Sequence, residues 1–268
     1  MYIHEFYNFI FLLIQLYILG VVFYFIEKIR PAQVNIKFFK NDFKTEIFYP
    51  LFNNVFTGNL LGWLILVFFS LISEKLLPHN ILTYFVGKMP WFLQLFTALL
   101  VLDLIIYIKH RFFHVFMWDY HAVHHVPDEI NWITSYRLHP VEVVLGAALK
   151  YFTLYIIGFS ADIIVYAGYV IFVFNIITHA NINLDYGYPL RYLLASPNYH
   201  RWHHAIDSEA INKNFVVVFP FIDILFGTYY FPNKLPVKYG IYSSNEYNEV
   251  PKGFVAQMLH PFKKLIKK

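Results

Sequence analysis

The histidines of this chain are concentrated in one stretch of the sequence. Ten of the 13 lie between positions 110 and 204, and most of these ten form clusters in which neighbours are three or four residues apart. Residues with that spacing share one face of a helix, so each cluster can direct several imidazoles at one point. The ten are His110, His114, His121, His124, His125, His139, His179, His200, His203 and His204.

Such clusters are typical of metal sites, because neutral imidazole is the commonest metal-ligating side chain. Packing several imidazoles together without a cation would leave polar atoms unpaired, at roughly 1–3 kcal/mol for each buried group. Ten ligands are too many for one tetrahedral site, so we expect two adjacent metal ions with four or five nitrogens each. The isolated residues His4, His79 and His260 are expected to be structural.

The elements that carry these histidines are predicted to be membrane helices. The chain of 268 residues is 58% hydrophobic and 21% aromatic but only 14% charged, which is unlike a soluble domain. Apolar runs at 7–26, 51–72 and 91–108 are each long enough to cross a bilayer. Two further runs, 141–158 and 161–178, are joined so tightly that they predict a helical hairpin. We therefore expect an all-α, polytopic membrane bundle of three spans plus a hairpin, with a histidine-rich cap.

The ends of these runs place histidines at one membrane face. The third span ends at His110, and the hairpin begins after His139 and ends before His179. Basic residues are more frequent between positions 27 and 50 than in the connection on the other side, so this face is expected to be cytoplasmic. The predicted regions are 1–90 (N-terminal transmembrane helices), 91–230 (catalytic) and 231–268 (cytoplasmic tail). The end of the tail, from Phe254, is predicted to be either a membrane-surface helix or a frayed solvated segment.

The position of the ligands favours iron over zinc, although both metals accept imidazole. At the end of a membrane bundle the ligands can be reached by a lipid chain, whose C–H bonds require a redox metal and dioxygen. The alternatives are a di-zinc lipid hydrolase and a membrane metal transporter, but a transporter should hold its ligands near the middle of the bilayer. With no cysteine and no glycine-rich dinucleotide motif, the electrons are expected from a separate ferredoxin-, flavin- or cytochrome-type protein. The sequence has no dense stripe of lysine and arginine outside its terminal lysines, so nucleic-acid binding is not expected.

Residues beside the ligands are predicted to orient them. Asp103 and Tyr107 share a helical face with His110, and a carboxylate inside a span requires a partner. Arg137 and Glu142 flank His139 and are expected to form an ion pair that braces it.

From Asp103 to Tyr229 the chain resembles the membrane-bound fatty acid hydroxylase and sterol desaturase superfamily. The resemblance is carried by the histidine boxes at 110–114, 121–125 and 196–204, by the segments 137–142 and 179–181, by Asn214-Phe215, and by the run 223–228 that ends Phe-Gly-Thr. It implies two metal ions that use dioxygen to hydroxylate or desaturate a fatty acyl, sterol or related lipid.

The resemblance also implies the ligands. They are His110, His114, His121, His124, His125, His179, His200, His203 and His204. Some members have a further histidine where this chain has Asn175, so His139 is expected to supply the missing nitrogen, and Asn175 and Asn181 to lie beside the ligands. The expected location is a bacterial inner membrane, with the endoplasmic reticulum as the alternative.

Overall fold

The computed structural model describes residues 2–34, 36–37, 42–58, 60, 81–241 and 250–266. Within these ranges the chain is built from α-helices, short 3₁₀ and π turns and loops, without a β-strand, which confirms the all-α prediction. The α-helices are α1 (Tyr2–Ile29), α2 (Phe43–Phe52), α3 (Ile81–Lys88), α4 (Trp91–Phe116), α5 (Trp118–His125), α6 (Pro140–Ile157), α7 (Ala161–His179), α8 (Pro197–His203), α9 (Pro220–Leu225) and α10 (Phe254–Ile266).

Four of these helices are long and apolar enough to cross a membrane. They are α1 over Phe9–Ile29, α4, α6 and α7. Their outer surfaces carry large apolar side chains such as Phe11, 69% exposed, and Tyr169, 65% exposed. Such side chains suit contact with lipid, and the predicted membrane bundle is confirmed. Most of the predicted span 51–72 lies outside the described residues, as does His79; the described beginning of that span belongs to the end of α2 and the π-helical turn Asn53–Thr57.

The helix α4 continues beyond the predicted end at position 108. It ends at Phe116, where Met117 leaves the helical conformation with φ −129°. The additional turns therefore carry His110 and His114 on a rigid helix. Length and apolarity alone predicted only the part of the helix that crosses the lipid.

The hairpin turn between α6 and α7 requires glycine. Gly158 has φ +101° and ends α6 in the left-handed conformation. A Cβ at this position would lie 2.7 Å from the side chain of Thr83 in α3. The close approach and the backbone conformation both exclude a larger residue here.

The packing gathers the ends of three long helices at one end of the bundle. The central helix α4 packs against α6 and α7. Their shared core includes Leu102 of α4, Leu154 of α6, Ile163 of α7 and the buried segment 215–219. The C-terminal ends of α4 and α7 and the N-terminal end of α6 consequently lie together.

The C-terminal helix α10 is docked on this end of the bundle, against α2 and α5. The buried Gln257 accepts hydrogen bonds from the Tyr49 hydroxyl at 2.7 Å and from Arg137 at 3.1 Å. The opposite face exposes Val255 and Leu265. The segment is thus a packed helix rather than a frayed tail, and its exposed apolar face suits a membrane surface.

Candidate metal centre

Four short stretches of helix bring nine of the ten predicted histidines together. These stretches are the end of α4 with His110 and His114, the helix α5 with His121, His124 and His125, the last residue of α7, His179, and the helix α8 with its C-cap, His200, His203 and His204. The start of α8 is defined by Pro197 at its first position and by Ser196, whose hydroxyl accepts the Tyr199 N–H at 3.2 Å. This cap fixes the face on which the three histidines of α8 lie.

The nine histidines form two adjacent groups. The first histidine cluster is His110, His114, His121, His125 and His203; the second histidine cluster is His124, His179, His200 and His204. Within each cluster, one nitrogen from every residue lies within 4.8 Å of the others. All nine are buried except His114, which is partly exposed. The clusters adjoin at His125 and His204, whose ring centroids are 4.6 Å apart.

In the second histidine cluster two nitrogens face each other without a proton between them. The Nδ1 atoms of His124 and His179 lie 3.2 Å and 2.7 Å from the backbone carbonyls of Arg137 and Asn175. A carbonyl oxygen can only accept, so both Nδ1 atoms carry the hydrogen and both neutral rings have a bare Nε2. These two Nε2 atoms are 3.1 Å apart. Two lone pairs at this distance repel unless a cation lies beside them.

The first histidine cluster repeats this arrangement. The Nδ1 of His110 donates to the Phe215 carbonyl at 2.8 Å, and that of His121 donates to the Glu142 carboxylate at 2.9 Å. The Nε2 of His110 is then bare, and so is that of His121 when its ring is neutral; the two atoms are 3.0 Å apart. His203 donates from Nδ1 to the Lys213 carbonyl at 2.8 Å, and its buried Nε2 has no hydrogen-bond partner among the described residues.

Protonation of the rings does not relieve this repulsion near neutral pH. Burial lowers the pKa of His124 well below its usual range, and the adjacent His179 lowers it further. Burial also lowers the pKa of His203 to about 3, although the Lys213 carbonyl opposes the shift. The rings of His124 and His203 are therefore neutral at pH 7, which is the form that binds metal ions. Two sets of converging neutral imidazoles are compatible with a centre of two metals.

His139 is not brought into either cluster. Its ring is buried at the start of α6, where Nδ1 accepts the Val141 N–H at 3.2 Å as the N-cap of the helix. Its Nε2 lies 3.1 Å from the Met258 carbonyl of α10. Both nitrogens are thus engaged by backbone groups, and the ring joins α6 to α10.

Glu142 links the first histidine cluster to α4. One carboxylate oxygen contacts His121, and the other accepts a hydrogen bond from the Lys109 ammonium at 2.6 Å. The expected ion pair of Glu142 with Arg137 was wrong. The fully buried Arg137 instead contacts Asp42, at the start of α2, and lies 3.8 Å from Glu46.

Asp103 acts on the backbone rather than on a histidine ring. Its carboxylate accepts hydrogen bonds from the N–H groups of Val217 at 2.8 Å, Val218 at 3.1 Å and Phe219 at 2.6 Å. The same segment presents the Phe215 carbonyl to the ring of His110. Asp103 therefore supports the group that orients His110.

Tyr107 braces the same region through its ring and its hydroxyl. The ring stacks on Phe226 with centroids 4.7 Å apart. The hydroxyl accepts a hydrogen bond from Arg111 at 2.8 Å and lies 3.2 Å from the Thr228 hydroxyl. These contacts join α4 to the loop that follows α9.

The two predicted asparagines lie beside the second histidine cluster. Asn175 contributes its backbone carbonyl to His179, while its side chain donates to the Ser135 carbonyl at 3.3 Å. Asn181 accepts a hydrogen bond from the buried Arg201 at 2.9 Å. Arg201 is next to His200 in α8, so Asn181 holds α8 against the end of α7.

Sequence reasoning assigned no role to Asp223. This buried residue accepts hydrogen bonds from the N–H groups of Phe215 at 3.0 Å and Val216 at 3.1 Å, and from the Tyr199 hydroxyl at 2.5 Å. Burial raises the pKa of Asp223, although its hydrogen bonds, led by that from Thr228, oppose the shift. Its place in the run 223–228 was a signal of importance, but that run does not reveal a partner in another segment.

A cavity of about 220 Å³ adjoins the first histidine cluster. His114, His125 and His203 form one wall, and the others include Trp118, Ile211 and Ile241. An apolar group in this cavity would lie next to the ligand nitrogens.

The comparisons with known proteins agree with this geometry. The fatty acid hydroxylase family model matches residues 95–228, which is half of the chain and contains both histidine clusters. The ornithine lipid hydroxylase of Rhizobium tropici is 29% identical over 175 residues, covering 65% of this chain and 51% of that protein. The alkylglycerol monooxygenase of Caenorhabditis elegans is 29% identical over 129 residues, covering 47% of this chain and 25% of that protein. The chain thus spans about half the length of the first relative and a quarter of the second. No solved structure matches significantly.

Proposed function

Because this chain belongs to the fatty acid hydroxylase family, we propose that it is a membrane enzyme that hydroxylates a lipid with dioxygen and two iron ions. The observation that carries the proposal is the pair of facing bare Nε2 atoms in each histidine cluster. One iron would be held by the five histidines of the first histidine cluster and the other by the four of the second. His139 is proposed to brace α6 rather than to bind metal.

The protein's part in the reaction is to hold and orient. The carbonyls of Arg137, Asn175, Lys213 and Phe215 and the carboxylate of Glu142 each fix the tautomer of one ligand. When bound, the irons would supply the dioxygen activation that an unreactive C–H bond requires. The burial of the clusters excludes water from the reacting atoms.

The cavity beside the first histidine cluster is proposed to receive the reacting part of the lipid. Ile211 and Ile241 provide apolar walls for a hydrocarbon segment, and Asn212 offers an amide at the same place. The two relatives are named a hydroxylase and a monooxygenase, which favours hydroxylation over desaturation. Ornithine lipids and alkylglycerols are accordingly the first substrates to test.

The electron donor and the location complete the proposal. A separate ferredoxin-, flavin- or cytochrome-type protein would reduce the centre. The two clusters would face the cytoplasm at a bacterial inner membrane, since the segment 27–50 is richer in lysine and arginine than the connection containing Lys75 and Lys88.

Metal analysis and oxygen labelling test this function together. The full chain, purified in detergent without oxygen and supplied with iron, should contain close to two irons. With a chemical reductant, ¹⁸O₂ and a lipid extract, it should place one ¹⁸O atom in a lipid product detected by mass spectrometry. The variants H203A and H124A remove one ligand from each cluster and should lose iron and product.

A matched control and the contrary outcomes make the test decisive. The variant H260A removes a histidine outside both clusters and should keep both irons. Two zinc ions that iron cannot replace, with lipid hydrolysis independent of oxygen, would establish the di-zinc hydrolase instead. A chain that binds no metal would refute both functions.

A further inference from the structure

A second cavity, of about 240 Å³, lies between the membrane helices α4 and α6. Ile105 and Ile106 of α4 and Val143 of α6 are among the residues that line it. Its neighbours Ile108 and Leu149 are 57% and 49% exposed. Exposed apolar residues on a membrane helix face lipid, so the cavity borders the bilayer. Leu138 and Glu142 also line it, so it extends to the start of α6 at the end of the bundle.

The wall of this cavity contains an ammonium group that forms no ion pair with the part of the chain that the structure describes. Lys109 and Lys150 both line the cavity with Glu142. Glu142 is already shared by Lys109 and His121. Lys150 lies a little over two helical turns further along α6 and forms no hydrogen bond or ion pair with the described residues. The Lys150 ammonium lies 5.9 Å from the centroid of the Tyr151 ring.

The charges around the cavity favour an anionic ligand. Two ammonium groups face one carboxylate, so the wall has an excess of one positive charge. A cation within an apolar helix is costly unless an opposite charge is close. A group entering from the bilayer could supply that charge together with apolar surface for Ile105 and Val143.

Small residues leave room for such a group. Gly146 and Ala147 form part of the α6 wall. A Cβ at Gly146 would lie 3.3 Å from Cδ of Lys109, so a larger side chain would press on the Lys109 stem and narrow the cavity.

We propose that the cleft between α4 and α6 binds an anionic phospholipid of the surrounding bilayer, whose phosphate pairs with Lys150. The acyl chains lie along the exposed surfaces of α4 and α6. The site is separate from the cavity beside the first histidine cluster, because the two cavities share no lining residue. Glu142 joins it to the proposed metal centre, because this carboxylate also contacts His121 from outside the cluster.

Lipid binding to the full chain tests this site without any measurement of activity. Native mass spectrometry of the protein in detergent would be performed with increasing phosphatidylglycerol or phosphatidylcholine. The natural chain should bind phosphatidylglycerol about 10-fold more tightly. The variant K150M should lose most of this preference, and K150R should keep it. The control K88M removes an exposed lysine outside the cleft and should behave as the natural chain does.

Three results would overturn the proposal. These are equal binding of the two lipids by the natural chain, an unchanged preference in K150M, and the same loss in K88M. The first comparison needs no variant, so it decides the matter even if K150M does not fold. Replacement of phosphatidylglycerol by inorganic phosphate at similar concentration would show a simple anion site instead of a lipid site.

Discussion

Each orienting hydrogen bond in the two histidine clusters comes from a group that is not itself a ligand. Carbonyls from three different loops and helices, together with Glu142, receive the outer N–H of five rings. The inner nitrogens are left free to bind metal. The proposed metal centre therefore depends on backbone positions as much as on the histidines.

The first prediction separates His139 from the ligands. Asparagine can replace histidine as an N-cap, so H139N should keep α6 intact and retain nearly the full metal content. H124A should lose about one of two metals per chain, because it removes one of only four nitrogens in its cluster. Metal per chain after gel filtration measures both effects, with H260A as the control. A loss in H139N equal to that in H124A would place His139 among the ligands.

Residue spacing predicted which histidines would meet but not what would hold them. The three- and four-residue spacing placed each cluster on a helix face, and the structure brings nine of the ten rings together. Phe215, whose carbonyl orients His110, is 105 residues further along the chain. No pattern of side chains reveals such a carbonyl. His139 was expected at a helix entrance, and there the demand for an N-cap takes one of its nitrogens.

At the scale of elements, the non-helical segment 215–219 joins the membrane core to the proposed metal centre. The carboxylates of Asp103 and Asp223 receive the N–H groups of residues 215–219. The same segment packs in the core with α4 and α7. Asp103 and His110 both belong to α4, so the segment fixes the orientation of the His110 ring on that helix.

The second prediction tests this support. In D103N an amide NH₂ would face one or more backbone N–H groups that the carboxylate now satisfies. The variant should lose about 1–3 kcal/mol of stability, or several degrees in Tm, and should bind less metal because His110 loses its fixed carbonyl. Thermal unfolding in detergent and metal content measure these effects.

The control for this prediction is D128N, which alters an exposed carboxylate outside the segment. It should leave Tm and metal content unchanged. If D103N matched the control in both measurements, Asp103 would not support the segment.

The long helices were predictable because their apolar runs must match the thickness of a bilayer. Apolarity did not predict the helical turns that lie outside the lipid. The last turns of α4 are helical although polar and apolar residues mix there. Likewise, the sequence did not distinguish α10 from a frayed tail, because the hydrogen bonds from Tyr49 and Arg137 to Gln257 come from distant segments of the chain.

For the molecule as a whole, the burial of histidines such as His124 and His203 makes stability depend on pH. The pKa of His203 is lowered to about 3 by burial, whereas an unfolded histidine has a pKa near 6.5. Between these values the unfolded chain binds more protons, so the free energy of unfolding decreases as the pH falls through about 6.5. Asp223, whose pKa is raised by burial, acts in the opposite sense.

The third prediction follows from this decrease in the free energy of unfolding at lower pH. Metal content and Tm should be constant from about pH 8 to pH 7 and should fall together between about pH 6.5 and 5, because protons compete with metal for the same nitrogens. Calorimetry and metal analysis of the full chain in detergent would follow both. After metal removal by a chelator the fall in Tm should persist, since the buried rings of the folded chain resist protonation even without metal. A Tm that is level from pH 8 to 5 in both forms would mean that the rings are accessible to protons, and it would contradict their burial in two closed clusters.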